Sequence, residues 1–174
     1  MSDGGPLDPR VAVVERAGQR VLVARAPLEA GSVLCAFAAA ADASGPGQHT
    51  LQVAAGRHVW LTPRWLAYVQ HGCAPNVAFD VDEQPWQVRV LRPVAGGDAL
   101  AAFYPATEVR CSEPFDCGCG ALDCLGRIRG ALAVSSDRWG DRPMSAHVRL
   151  ARSWRAAAVD GPARGRAPAG PTTS

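Results

Sequence analysis

The chain has 174 residues, 48% of them apolar, which is enough for one domain with a buried core and too little for two large ones. Its formal charge is only +2, and its 18 basic residues are all arginines spread from Arg10 to Arg166, so it lacks the concentrated basic face of a dedicated nucleic-acid binder. No apolar run approaches the roughly 20 residues of a bilayer-spanning helix, and residues 1–9 carry no charged leader ahead of an apolar stretch; a cytoplasmic protein with a disordered N-terminus is expected.

Val11 to Val14 and Arg20 to Ala24 are short, β-branched and apolar, and the turn Ala17-Gly18-Gln19 between them reads as a hairpin. After the turn Leu28-Glu29-Ala30-Gly31, a third strand is expected over Ser32 to Phe37, followed by a loop of small residues over Ala38 to Gly47. Thr50 to Val53 and His58 to Leu61 flank Ala55-Gly56-Arg57, a second hairpin signal. Thr62 to Tyr68 fits a helical turn with Thr62 as its cap and Pro63 in first position. Val77 to Val81, Trp86 to Leu91 and Ala99 to Tyr104 read as further strands, with a turn over Val94 to Asp98. The body is therefore mainly β with little helix. Met144 to Ala157 spaces Val148, Leu150, Ala151 and Trp154 as one short amphipathic helix. Gly161 to Ser174 is proline, glycine, alanine and threonine, a disordered composition.

The chemistry concentrates in cysteine. Cys117-Gly118-Cys119 and Cys124 form a C-x-C-x4-C run on a glycine-rich loop too poor in apolar residues to fold on its own core. Three thiolates so close can converge on one tetrahedral ion, with glycines supplying the tight backbone angles. A fourth ligand must come from elsewhere. Cys73, in His71-Gly72-Cys73-Ala74-Pro75-Asn76, is one candidate and Cys111 another, while Cys35 within an apolar strand reads as ordinary core. In a reducing compartment a metal site is the better account than a disulfide framework. No general base of the H-x-E type stands near these cysteines to make the site catalytic.

Four segments in order resemble the SET-domain methyltransferases. Tyr68-Val69-Gln70-His71-Gly72-Cys73-Ala74-Pro75-Asn76 is similar to that family's Asn-His-Ser-Cys-x-Pro-Asn motif. Arg92 to Tyr104 resembles its glycine-glutamate-glutamate-leucine segment ending in tyrosine, Phe115 to Gly126 its post-SET zinc loop, and Ala17 to Ala24 with Leu28 to Gly31 its opening segment. The resemblance covers about Val11 to Gly130. It implies a SET domain over residues 10–110, a β-fold with pseudoknot-like threading and few short helices, and a post-SET zinc loop in a segment over 111–130. Beyond the resemblance, periodicity and composition add a helical extension over 131–157 with a short C-terminal helix and a disordered tail over 158–174. S-adenosylmethionine is the implied cofactor, contacted by Gly18, Gln19, Arg20, Gln70, His71, Tyr104 and Leu125. Tyr104 and Tyr68 are the implied catalytic aromatics, and Cys73, Cys117, Cys119 and Cys124 the ligands of a structural zinc ion.

The implied activity is methyl transfer to a protein lysine or related amine, with no dedicated nucleic-acid or membrane partner. A chain without lysine offers no such acceptor of its own. Four positions depart from the family pattern: Gln70 stands for asparagine, Arg20 for glycine, Gly72 for serine and Ala99 for glutamate. An arginine at 20 could pair with the cofactor's carboxylate. Two other readings share these residues: a SET-like binding protein that no longer methylates, and an enzyme acting on a small molecule in a cleft lined by Trp60, Trp65 and Phe103.

Overall fold

β-Branched stretches separated by glycine turns give strands, and the computed structural model, which describes residues 7–160, joins them mostly as antiparallel neighbours. β1 (Val11–Arg16) and β2 (Gln19–Ala24) form a hairpin in which Arg16 faces Gln19. Ala17 at φ 48° and Gly18 at φ 77° make the left-handed pair that a two-residue turn between twisted strands requires.

A five-stranded sheet is organised around β3 (Val33–Asp42). Its first half pairs with β8 (Trp86–Val90), and its second half crosses to β5 (Arg57–Thr62). β4 (Thr50–Ala54) and β7 (Val77–Asp80) complete the two sides. The loop expected from Ala38 onward is thus strand as far as Asp42. Its alanines are small enough to carry the register shift between Ala39 and Ala41, and β5 supplies the ladder hydrogen bonds that composition alone does not reveal. Leu34, Val59, Val77, Val88 and Val90 are fully buried beneath this sheet, with Phe37 packed edge-on against Phe79 at 5.6 Å between centroids.

The helical turn after Pro63 is a 3₁₀ turn, Arg64–Tyr68, capped by Pro63 with no side-chain hydrogen bond. Thr62 does not cap it, because the strand β5 runs through that residue. Trp65 and Leu66 are buried, which presses Tyr68 toward the hairpin turn of β1 and β2.

β6 (Gln70–His71) then lies parallel to β9 (Ala101–Ala102), Gln70 opposite Ala101 and His71 opposite Ala102. The strand expected over Ala99 to Tyr104 is shorter than its pattern because Ala99 makes only an isolated bridge to Val23 and Tyr104 opens a 3₁₀ turn, Tyr104–Ala106. Asn76 fastens the crossing: its side-chain nitrogen donates to Ala99 O at 2.9 Å and its side-chain oxygen accepts from Ala101 N at 2.8 Å.

β10 (Phe115–Asp116) and β11 (Arg127–Ile128) bracket the cysteine loop as a small antiparallel pair. A second apolar cluster of Phe103, Ala106, Ala131, Val134, Trp139 and Val148 joins the end of the β body to α1 (Ser136–Trp139) and α2 (Ala146–Asp160). α2 is longer than the short helix expected, and its last three residues fall in the stretch read as tail; residues 161–174 lie outside the described part. Val148 is buried on α2, but Leu150 and Trp154 are exposed, so the expected apolar face packs only in part. Residues 1–6 are likewise outside the described part, whereas Asp8, expected to be disordered, is ordered by an ion pair with Arg10 at 2.8 Å. No described helix is long and apolar enough to cross a membrane.

Gly130 holds the cysteine segment against the body. It sits at φ +100°, and a Cβ there would come 2.6 Å from Arg110 Cα and 2.8 Å from Val109 O. Strain and overpacking add at this position, so Gly130→Ala should destabilise the protein by about 3 kcal/mol, read as a lowered urea midpoint with unchanged slope.

Candidate functional site

A cavity of about 1070 Å³ opens where the hairpin turn, the Arg64–Tyr68 turn, β6 and the chain after β9 meet. Gly18, Gln19, Arg20, Tyr68, Gln70, His71 and Tyr104 all line it. Leu125 does not; its backbone N–H instead donates to Cys73 Sγ at 3.4 Å, which ties it to the cysteine loop. Of the three aromatics considered for a small-molecule cleft, Phe103 lines the cavity, Trp65 is buried in the core and Trp60 is half-exposed beside a smaller groove.

The long side chains that depart from the family pattern are used structurally. Gln70 Nε2 donates to Arg20 O at 3.1 Å and Tyr68 O at 3.2 Å, spanning from β6 to the hairpin. Arg20 Nη1 donates to the Tyr68 hydroxyl at 2.9 Å, with the guanidinium 5.5 Å from that ring's centroid. One wall of the cavity thereby carries a fixed cation beside a fixed amide. Gly72 also has a packing reason: a Cβ there would lie 2.9 Å from Ala101 Cβ, so a serine does not fit against β9 as this chain builds it.

Tyr104 is half-buried, and its hydroxyl donates to Val69 O at 2.9 Å. Burial, reinforced by Cys111 and Glu108, pushes the phenol up to about 12, so it stays protonated at neutral pH and offers its oxygen lone pairs as acceptors. His71 connects the cavity to the cysteines. Its Nδ1 accepts from Tyr104 N at 3.3 Å, which places the ring proton on Nε2, 3.4 Å from Cys73 Sγ. Burial, with Arg142 adding to it, lowers the ring to about 4, so His71 is neutral.

Cys73, Cys117, Cys119 and Cys124 converge, their sulfurs all within 4.8 Å of one another. Cys73 Sγ is 3.9 Å from both Cys117 Sγ and Cys124 Sγ. Four thiolates about 2.3 Å from one zinc ion stand about 3.8 Å apart, so this donor set fits a closed tetrahedral site. Cys111 lines the cavity and Cys35 packs against the core, both away from the cluster. The thiols press on one another: burial first, then Cys119, pushes Cys73 up to about 11. A divalent cation would remove that conflict.

Three contributors escape sequence inspection. Arg142 donates from Nε to Cys73 O at 2.6 Å, pairs with Asp123 of the cysteine loop and lies 5.0 Å over Phe103, a buried cation clamping the cluster to the cavity floor. Phe115 stands edge-on to His71 at 5.5 Å, and its position two residues before Cys117 is the one hint in the sequence. Glu108 also lines the cavity, its side chain only 14% exposed, with one oxygen accepting Gln52 N–H at 2.8 Å. Burial pushes this carboxyl up to about 7. A carboxylate four residues after the motif tyrosine was its only signal.

Comparison with the sequence profiles of established families finds no match. The chain is 32% identical over 133 residues to the methyltransferase flvH of Aspergillus flavus, covering 76% of this chain and 72% of that protein. It is 33% identical over 85 residues to the histone-lysine N-methyltransferase Suv4-20 of Caenorhabditis briggsae, a match spanning 49% of this chain and 24% of that one. Among solved structures, KRYPTONITE in complex with mCHG DNA and SAH shares the fold at a TM-score of 0.52 and 15% identity, over 67% of this chain and 28% of that one. With its mainly β body, its ordered motifs and its cysteine loop, the chain belongs to the SET-domain methyltransferase family.

Proposed function

We propose that this protein uses S-adenosylmethionine to methylate an amine, a protein lysine side chain or a related primary amine. The observation that carries the reading is one cavity holding Arg20 and Gln70 on the same wall and the Tyr104 hydroxyl on its floor. The donor has a carboxylate and an ammonium at its amino-acid end; the Arg20 guanidinium suits the first and the Gln70 amide oxygen the second. SAH is bound by the KRYPTONITE structure, and Suv4-20 is named for lysine methylation, which supports both halves of the proposal.

The donor, when bound, supplies an activated methyl group. The chain's own contribution is placement and exclusion of water. Tyr104, fixed by Val69 O, has only its lone pairs left for the cavity, where they can accept from an amine N–H and orient the nitrogen. Phe103, Phe115 and the neutral ring of His71 form the apolar surround. A dry wall strengthens every polar contact made inside it. Cys73, Cys117, Cys119 and Cys124 would hold a structural zinc ion. Because Cys73 lies two residues after the end of β6, such an ion would fasten the cysteine loop to the strand that carries Gln70 and His71.

Calorimetric titration should show micromolar binding of S-adenosylmethionine, weakened about tenfold in Gln70→Ala, where one hydrogen bond to the donor's ammonium, worth roughly 1.5 kcal/mol, is lost. No binding by the unaltered protein would contradict the reading. Tyr104→Phe should lower turnover on a lysine peptide on the order of 100-fold while leaving donor affinity within about twofold; equal losses in both would make Tyr104 structural. Elemental analysis should find one zinc ion per chain, absent from Cys119→Ser together with hydrogen-exchange protection at β10 and β11. Full zinc loading of Cys73→Ser would remove Cys73 from the ligand set.

A further inference from the structure

Glu108 is a carboxylate in an unusual place. It lines the cavity, yet its side chain is almost enclosed. Its backbone N–H donates to Tyr104 O at 2.9 Å, so carboxylate and phenol hang from the same short turn. One oxygen accepts from Gln52 N, and Gln52 is itself held by Val109 N–H donating to its side-chain oxygen at 2.9 Å. The other oxygen lies 3.4 Å from His58 Nε2, a buried nitrogen with no hydrogen-bond partner. Burial first, then His147, lowers the His58 ring, so this neighbour is neutral and supplies no counter-charge. The other titratable groups acting with Glu108 are Tyr104 and Cys111, whose protons it helps to retain. No arginine pairs with Glu108 in the ion pairs among the described residues.

A carboxylate held this deep without a cation opposes folding at neutral pH, because the one Gln52 N–H bond offsets only part of the desolvation of the charge. A desolvated carboxyl on a cavity wall is a candidate for binding a ligand that supplies the missing charge. At the Gln70 wall the cavity carries a cation, Arg20; at the Tyr104 turn it carries Glu108.

We propose that Glu108 is the acceptor subsite of the cavity, pairing with the ammonium of an incoming primary amine and receiving one of its protons. The proposal rests on the amine reading above and narrows it: the acceptor enters as a cation, which excludes hydroxyl, thiol and amide acceptors. In the transfer one ammonium N–H bond breaks, its electron pair stays on nitrogen, and an O–H bond forms on Glu108. The amine is left neutral beside the Tyr104 hydroxyl, and the proton later passes to solvent. A carboxyl already raised toward the amine's range performs this transfer with less uphill work than an exposed one.

The test uses the full chain saturated with S-adenosylhomocysteine and two probes, Nα-acetyl-lysine amide and its uncharged analogue Nα-acetyl-norleucine amide, titrated by calorimetry. The lysine probe should bind at least tenfold more tightly than the norleucine probe. Glu108→Gln, which keeps an acceptor for Gln52 N–H, should abolish that preference while leaving S-adenosylhomocysteine affinity within twofold. In the unaltered protein the preference should fade as pH falls through about 7, where Glu108 takes up its own proton, and this step should be missing in the variant. The pH profile needs no variant, so it decides the matter even if Glu108→Gln fails to fold. Equal binding of the two probes, a flat pH profile, or an unchanged preference in Glu108→Gln overturns the proposal and leaves the donor reading standing. Failure to bind S-adenosylhomocysteine sinks the donor reading instead, and the same two-probe titration without it still judges Glu108.

Discussion

Two residues of β6 lying parallel to two of β9 place nearly everything that matters in this protein. Parallel neighbours cannot come from a local turn, so the chain must travel from His71 to Ala101 and return on the same side. That return is held by Asn76, whose side chain bonds both Ala99 and Ala101, and by Gly72, where no side chain fits against Ala101. The consequences are immediate. Gln70 reaches back to the hairpin turn, His71 meets Tyr104, and Cys73 arrives at the cysteine loop. A one-residue slip of this pair would turn Gln70 and His71 to opposite faces and separate Cys73 from the other three sulfurs.

Two enclosed charged side chains stand near that crossing. Arg142 sits with its side chain only 8% exposed, spanning the Cys73 carbonyl, Asp123 and the face of Phe103. It stands enclosed beside the four clustered thiols, and four thiolates around a divalent ion would leave a net negative charge that such a cation offsets. Glu108 is the opposite case, a carboxyl raised to about 7 by burial. A carboxyl raised in the folded state binds its proton more tightly there than in the unfolded chain. Its contribution to stability is therefore complete below the ordinary carboxylate range and lost as pH rises through about 7. Such a group costs stability at physiological pH, which fits the proposed role in binding and not a role in folding.

How far these features can be read from the sequence depends on how local their causes are. The two hairpins are legible because Ala17-Gly18 and Ala55-Gly56 carry the turn chemistry within two residues. Cys117, Cys119 and Cys124 are legible because thiolate spacing is itself the chemistry. The strand over Ala38 to Asp42 is not, since alanine states no preference and the β5 ladder decides it. Arg142 is invisible for a similar reason: its partner carbonyl on Cys73 lies 69 residues away. Glu108 contacts Gln52 across 56 residues, so nothing near it marks the carboxylate as buried. Leu150 and Trp154 show the opposite error, where helical periodicity promises packing that the neighbouring elements do not provide.

In the proposed function the hairpin turn and the β6–β9 crossing form a single donor-binding wall. A crystal structure of the protein soaked with S-adenosylhomocysteine tests it most directly. The ligand is expected in the cavity, its carboxylate beside Arg20, its ammonium beside the Gln70 amide and its sulfur facing the Tyr104 hydroxyl. A ligand seated elsewhere, or a cavity that stays empty at saturating concentration with the Arg20–Tyr68 and Gln70 contacts unchanged, would contradict it.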